Sequence, residues 1–379
     1  MTTGRPRILQ LCSDYAKQAL YPKLLLSLAE QGWRQFMYVP VRTAAEIDRL
    51  RIEGCGEIEF RYVHLLRPHD RLLFRAKVRK VVHDVVTHVP LQDCLAVHAH
   101  FLYSDGAVAL QLNRRFGLPF IVAVRNTDVN AFMRLRPDLA GIRNEVLRRA
   151  HRVVFLSPTY RDTFLDKLPQ QVSEPLADKA VVVPNGLAPE WLVAPAGLER
   201  GAASPLRLLY VGDFTPNKNL GTVIAALRRL RSTLAATLTV VGGGGDRGGR
   251  MQRLLQQEQG VQWLGRVDDA ERLRAIYREH DVFVMPSLHE TFGLSYLEAL
   301  SQGVPIVHSR GQGVDGYFEP GTVAEAVDPR RYESVADGVV ALARRLSGLR
   351  ASCAEQAQRF SWTTIARTYS DLYRSLLQS

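Results

Sequence analysis

The sequence predicts an α/β protein of two domains, each a parallel β-sheet wound with crossover helices. Three observations carry that expectation. The 379-residue chain is too long for one ordinary domain and fits two of roughly 150–200 residues. Short β-branched runs alternate with segments of helical periodicity along its length. The alternation then restarts after a Pro/Gly-rich stretch near the middle.

In the first half the strand signals are RILQLC, QFMYVPV, LAVHAHF, FIVAVRN and RVVFLS. Between them, YPKLLLSLAEQ and SDGAVALQLNRRFG repeat apolar residues at helical spacing. The second half opens with LRLLYVGD and continues with ATLTVVGG, VQWLG, DVFVMPS and PIVHS. Strands joined by helices form parallel sheets with right-handed connections. The break falls in PNGLAPEWLVAPAGLERGAASP, which carries Pro184, Pro189, Pro195, Gly197, Gly201 and Pro205 with little periodicity. The expected boundaries are an N-terminal domain over 1–187, a linker over 188–202 and a C-terminal domain over 203–360. Residues 361–379 read as a last amphipathic helix returning to the N-terminal domain, with Ile365, Tyr369, Leu372 and Tyr373 on one face. Two such Rossmann-like domains are expected to face each other across a cleft, with ligands beyond the carboxyl ends of the strands.

Composition narrows the function classes. Hydrophobic residues make up 46% and charged residues 23% of the chain, which fits a packed globular protein rather than a disordered one. No run approaches the roughly 18 apolar residues of a membrane span, and the N-terminus does not read as a signal peptide. Cys12, Cys55, Cys94 and Cys353 are scattered without a CxxC pair, so neither a metal knuckle nor a disulfide framework is expected, and a reducing cytoplasm is. The net charge of +11 suggests an anionic partner: nucleotide, nucleic acid or anionic membrane. The arginines are spread along the chain with no helix-turn-helix, RRM or zinc-finger signature, which argues against nucleic acid. RPHDRLLFRAKVRKVVHDVV reads as an amphipathic helix over 71–86. Phe74, Val78, Val81, Val82 and Val85 form its apolar stripe, and Arg71, Arg75, Lys77, Arg79 and Lys80 crowd the rest. Such a helix can lie on an anionic inner membrane face or pack on the core with a solvated basic face.

The segment PSLHETFGLSYLEALSQGVP is the most informative. A strand ends at Ser287, Glu290 to Leu294 form a loop, and a helix then carries Glu298. The backbone N–H groups of Phe292, Gly293 and Leu294 fall at a helix N-terminus, a favourable place for phosphate. Glu298 can accept hydrogen bonds from a ribose diol while Glu290 reaches a sugar. Elsewhere, Gly243, Gly245 and Gly248 satisfy GxGxxG with Asp268 some twenty residues on, formally a dinucleotide fingerprint. These glycines follow the second strand of their domain rather than the first, so the run reads instead as a loop that lets backbone approach a ligand.

The Glu290–Glu298 string resembles the E-x7-E region of retaining glycosyltransferase family four, of the GT-B fold. VVVPNGL resembles the family's interdomain turn, VGDFTPNKNL its first strand–loop–helix of the donor domain, and VVGGGGD, WLGRV and the FSW helix entry follow in order. The resemblance covers nearly the whole chain and is strongest over 181–305. It implies that the N-terminal domain takes the acceptor and the C-terminal domain a nucleoside diphosphate sugar, UDP before GDP. Lys218 would bind the diphosphate as a preorganised cation, Arg266 the nucleobase, Glu298 the ribose and Glu290 the sugar hydroxyls, with Thr291, Phe292, Gly293 and Leu294 around the phosphates. One residue departs: the family usually places an arginine where this chain has Asp213, and a carboxylate cannot clamp a diphosphate.

On the acceptor side, His98 and His100 share one face of a strand. A zinc site there lacks a matching carboxylate or third histidine. The resemblance instead puts His100 at the cleft, against the donor sugar, beside Glu290 as the catalytic pair. Arg125, Asn126 and Asp128 of VAVRNTDVN take the acceptor side, with Arg125 open to an anionic acceptor. The loop SDYAKQALY lacks the double glycine common in the family. The implied reaction is a metal-independent, retaining transfer to a hydroxyl of a polysaccharide or glycolipid precursor, needing no cofactor. The rival readings are a nucleotide-sugar epimerase on the same fold, nucleic-acid binding, and a dehydrogenase resting only on the glycine run.

Overall fold

The computed structural model describes residues 7–193, 205–245, 248–319 and 321–376, the Arg71 side chain excepted. Most of the expected linker, with Pro195, Gly197 and Gly201, lies outside the described residues, as do Asp246 and Arg247 of the glycine run.

The chain divides into two compact units. The first is Met1–Leu156, Arg161–Gly186 and Trp362–Ser379; the second is Ser157–Tyr160 and Leu187–Ser361. In chain order the first half holds β1 (Arg7–Leu11), α1 (Leu20–Glu30), β2 (Arg34–Val41), β3 (Ile58–His64), α2 (Phe74–His88), β4 (Cys94–Ala99), α3 (Ser104–Phe116), β5 (Phe120–Ala123), α4 (Ala140–Arg149), β6 (Arg152–Phe155), α5 (Pro158–Leu165), α6 (Gln170–Ala177) and β7 (Ala180–Val182). The second half continues with β8 (Leu206–Val211), α7 (Leu220–Arg231), β9 (Ala236–Val241), α8 (Gly248–Gln257), β10 (Val261–Trp263), α9 (Ala270–Arg278), β11 (Val282–Val284), α10 (Leu294–Ser301), β12 (Ile306–Ser309), β13 (Ala324–Val327), α11 (Tyr332–Ala343), α12 (Leu346–Gln358) and α13 (Trp362–Ser375).

Both sheets are wholly parallel. The first has strand order β3-β2-β1-β4-β5-β6-β7, the second β10-β9-β8-β11-β12-β13. In the first, the carboxyl ends of β1, β4 and β5 are neighbours. This sets the loops that begin at Cys12, His100 and Val124 side by side. In the second, β9, β8, β11 and β12 are consecutive, so the loops after Val241, Val211, Val284 and Ser309 share one edge. Three strands, β3, β7 and β13, are not marked by the sequence pattern, and all three lie at sheet edges.

The last helix closes the core of the first unit. Ile365, Tyr369 and Tyr373 of α13 are buried with Ile8, Leu24, Trp33 and Val154, and Trp33 Nε1 donates to Ser370 Oγ at 2.9 Å. Burying each such large apolar side chain stabilises by about 1.5–3 kcal/mol. The turn Pro184–Asn185–Gly186 accommodates this helix: a Cβ on Gly186 would sit 2.4 Å from the Trp362 ring.

The basic helix is shorter than the sequence implies. It starts at Phe74, not at 71, because the chain first makes a tight turn over Pro68–Arg71 in which Asp70 accepts from the Arg67 N–H at 2.6 Å. Its basic face is also thinner. Lys77 falls three residues after Phe74, in the apolar stripe, and is buried with Val78, Val81 and Val85. Lys80 is held by Asp70 at 2.8 Å, leaving Arg75 and Arg79 exposed. Among the described residues no helix is long and apolar enough to cross a membrane.

Candidate functional site

In the second unit the strand ends are welded together by glycines. A Cβ on Gly242 would lie 2.1 Å from the Gly212 carbonyl oxygen, and Gly242 itself holds φ 125°. Its carbonyl accepts from Trp263 Nε1 at 2.9 Å, and its N–H donates to the Gly265 carbonyl at 2.8 Å. Gly245 packs the same way on Phe214, whose carbonyl oxygen would lie 2.8 Å from an added Cβ. The glycine run therefore lets β8, β9 and the β10 loop approach closely, a packing demand that only a missing side chain satisfies.

The turn Pro216–Lys218 is tied to the loop after β11 by Asn217. Its side-chain amide donates to the His289 carbonyl at 2.8 Å and accepts from the His289 N–H at 2.9 Å, and its own carbonyl accepts from Leu288 N–H at 2.8 Å. Asn219 starts α7 in the left-handed region at φ 57°, where asparagine is tolerated better than most residues. Its amide donates to the Pro286 and Pro329 carbonyls at 2.9 and 2.7 Å. Together these two asparagines bring Lys218 Nζ to 2.6 Å from a Glu290 carboxylate oxygen. The Lys218 and Glu290 side chains keep 26% and 14% of their surface exposed.

Glu290 is shaped from its other side by Gly313, whose N–H donates to the Glu290 carbonyl at 2.8 Å, and by Gln312, which accepts from the Glu290 N–H at 3.1 Å. Gly293 opens α10 at φ 84°, and a Cβ there would strike the Tyr296 ring at 2.5 Å. Thr291 and Phe292 are buried, and Leu294 is the first residue of α10. Glu298 lies one turn further along α10 and accepts from the Tyr277 hydroxyl at 3.2 Å. Arg266 stands in solvent, paired with Asp268 at 2.7 Å, and Asp213 is exposed. The structure thus gathers Lys218, Glu290 and the Thr291–Leu294 loop closely. Asn217, Asn219 and Gln312 are the positioning residues that sequence reasoning missed, although the doubled asparagine of PNKNL is their visible signal.

In the first unit His98, His100, Arg125 and Asp128 are buried, and only Asn126 of the singled-out residues is exposed. His98 and His100 stack with ring centroids 4.1 Å apart, and each is at most 1% exposed. Gln10 accepts from His100 Nε2 at 2.9 Å, and the Tyr373 hydroxyl bonds His98 Nδ1 at 2.7 Å, so these tautomers follow from the hydrogen-bond network. Burial pushes His98 down to about 3 and His100 well below its ordinary value, making both neutral imidazoles. His100 Nδ1 has no hydrogen-bond partner among the described residues. Among those residues no group of three or more His, Cys, Asp or Glu gathers as a metal site would require.

Arg125 is 7% exposed, with Nε 3.4 Å from the His100 carbonyl it donates to. Asp128 is fully buried and accepts from the N–H groups of Leu102, Tyr103 and Arg125 at 3.1, 3.2 and 2.9 Å. Burial raises its carboxyl to about 6 against the pull of those three donors. This geometry gives Asp128 the work of clamping two loops together. Asn126 is exposed beside Asn130.

Comparison with known proteins follows the same division. A family profile described as "Glycosyl transferase 4-like domain" matches residues 22–186, and one described as "Glycosyl transferases group 1" matches residues 205–345. A glycogen synthase of Mycobacterium tuberculosis is 28% identical over 297 residues, covering 73% of this chain and 68% of that protein. A D-inositol 3-phosphate glycosyltransferase of Salinispora arenicola is 30% identical over 311 residues, covering 73% and 67%. Among solved structures, a sucrose-phosphate synthase of Thermosynechococcus elongatus superposes with a TM-score of 0.76 at 21% identity, over 99% of this chain and 100% of that one. At that identity the likeness is one of fold.

Proposed function

The chain belongs to the group 1 glycosyl transferases of the GT-B fold, and on that premise we propose that it moves a sugar, with retention, from a nucleoside diphosphate sugar to a hydroxyl of a saccharide or glycolipid precursor. The observation that carries this reading is the Lys218–Glu290 pair at 2.6 Å beside the start of α10. A cation, a carboxylate and backbone N–H groups meet there, as a diphosphate-linked sugar requires. In this reading Lys218 leaves Glu290 for the diphosphate, and Glu290 turns to the sugar hydroxyls. Glu298 takes the ribose, Arg266 the base, and the Thr291–Leu294 loop the phosphates.

The hydroxyl oxygen of the acceptor bonds to the anomeric carbon as the carbon–phosphate oxygen bond breaks. The departing phosphate takes the hydroxyl proton from the same face. Positioning and charge stabilisation do most of the work. His100, kept neutral by burial, is the sugar-side group that the family resemblance implies for the first unit, and the Arg125–Asp128 segment shapes the acceptor side. With Asp213 in place of the usual arginine, Lys218 and the backbone amides carry the diphosphate without metal. UDP is the proposed nucleotide. Attachment to an anionic inner membrane face rests on Arg75, Arg79 and the net charge of +11; absence of cosedimentation with anionic liposomes at low salt removes it.

The test is thermal stabilisation by UDP, GDP, ADP and NAD, with and without EDTA, since a ligand of the native state raises the melting temperature by linkage. UDP is expected to stabilise the protein with EDTA present and to lose that effect in Glu298→Ala. Stabilisation by NAD alone, or only without EDTA, contradicts the reading.

A further inference from the structure

The first unit contains a cavity of about 550 Å³ that is not lined by His98, His100, Arg125, Asn126 or Asp128. Its walls come from the loop after β1, the start of α2, the start of α3 and the helical turn over Asp128–Met133. The surface is largely apolar, with Leu66, Phe74, Phe101, Phe132 and Leu135, yet Lys17, Arg42, Lys77 and Arg136 also face it. The charges are unevenly matched. Lys17 pairs with Asp14 at 3.3 Å, Arg136 with Asp138 at 2.7 Å, and the lining Asp70 with Lys80 at 2.8 Å. Among the described residues neither Lys77 nor the Arg42 guanidinium makes an ion pair.

Lys77 is the telling residue. The residue is 7% exposed, its ammonium donates to Ser104 Oγ at 2.8 Å, and it lies 4.8 Å from the Phe74 ring centroid. Burial pulls it down to about 8, while Asp105 and Asp70 pull the other way. Burying an ammonium without a carboxylate is costly, and a neutral or apolar residue at this helical position would pack on the stripe more cheaply. A buried cation kept unpaired in the wall of an open cavity is complementary to an anion brought from outside.

We propose that this cavity binds the acceptor of the transferase through a phosphate ester held by Lys77 and Arg42, with a ring or chain of the acceptor lying on Phe74 and Phe132. The proposal rests on the transferase reading and names the class of acceptor. Arg42 reaches the cavity from the end of β2 and supplies a forked donor suited to phosphate. The aromatic rings present faces on which the apolar side of a sugar, or a hydrocarbon chain, can lie. Two sources share the chemistry, a free sugar phosphate and a phosphate-linked lipid carrier.

The experiment is calorimetric binding of glucose 6-phosphate, glucose and farnesyl phosphate to the full chain and to Lys77→Met and Arg42→Gln, with UDP titrated into each as a control. At least one phosphate probe is expected to bind ten-fold or more tighter than glucose, and to weaken ten-fold or more in each variant while UDP affinity holds. Tighter binding of glucose 6-phosphate assigns a free sugar phosphate; tighter binding of farnesyl phosphate assigns a lipid carrier. Equal binding of phosphate and neutral probes, or phosphate binding unchanged in both variants, overturns the proposal. Loss of UDP binding from the wild type would instead indict the transferase reading itself, so the two failures are distinct. Arg42→Gln lies at the more exposed rim and carries the test if Lys77→Met does not fold.

Discussion

The two units use their charged motif residues in opposite ways. In the second, Lys218 and Glu290 sit partly exposed on loops, paired with each other and held in place by neutral amides. In the first, His98, His100, Arg125 and Asp128 are all at least nine-tenths buried, and the cavity-lining cations without an ion pair among the described residues are instead Lys77 of the basic helix and Arg42. Residue types alone do not separate the two cases. What separates them is whether the backbone's own donors consume the charge. Asp128 is spent on three N–H groups, whereas Glu290 is engaged mainly by a cation that a diphosphate can draw away.

The sharpest way to break this contrast is Lys218→Met. Removing one preorganised charge should lower kcat/KM by roughly 10²–10³ with little change in melting temperature, read by steady-state kinetics beside a thermal melt. A loss under ten-fold would place the diphosphate elsewhere. Next in size is Asp128→Ala, which strands the Leu102, Tyr103 and Arg125 N–H groups. Orphaned buried donors cost about 1–3 kcal/mol each in isolation, so a fall of several degrees in melting temperature is expected. Undiminished stability with lost activity would move Asp128 from the architecture to the substrate.

The smallest effect is a pH slope. Burial raises the Asp105 carboxyl to about 8 against the Ser13 N–H that it accepts from. Between about pH 4 and 8 the native carboxyl keeps a proton that the unfolded chain, with an aspartate near 3.9, has lost. The native state then binds more protons, and stability falls as pH rises through that window. Asp105→Asn should flatten the fall and gain a few degrees on the wild type by pH 8–9. Parallel profiles would show that Asp105 does not titrate there.

How much was legible in the sequence follows the same physics. Interior strands such as β1, buried at all five positions, announce themselves as unbroken apolar runs. The missed strands are edges. β3 carries Glu59, Arg61 and His64 on surfaces that water reaches, and β7 and β13 run only three and four residues. Edge strands are kept short and polar, which erases the pattern that sequence reading relies on. In the second unit the loop residues of the site were legible because glycine and proline mark turns directly. The partners that position them were not, since Asn217 and Asn219 act on carbonyls up to 110 positions away. Lys77 read as part of a basic face because charge normally faces solvent. Only packing reveals that its helical position belongs to the apolar stripe.

On the proposed function, donor chemistry belongs to the second unit and acceptor recognition to the first. The most direct test of this division is a calorimetric titration of UDP into wild type, Lys218→Met and Lys77→Met under one buffer. UDP affinity should fall ten-fold or more in Lys218→Met and stay within two-fold of wild type in Lys77→Met. Equal affinities in the wild type and Lys218→Met, or a loss confined to Lys77→Met, would contradict it.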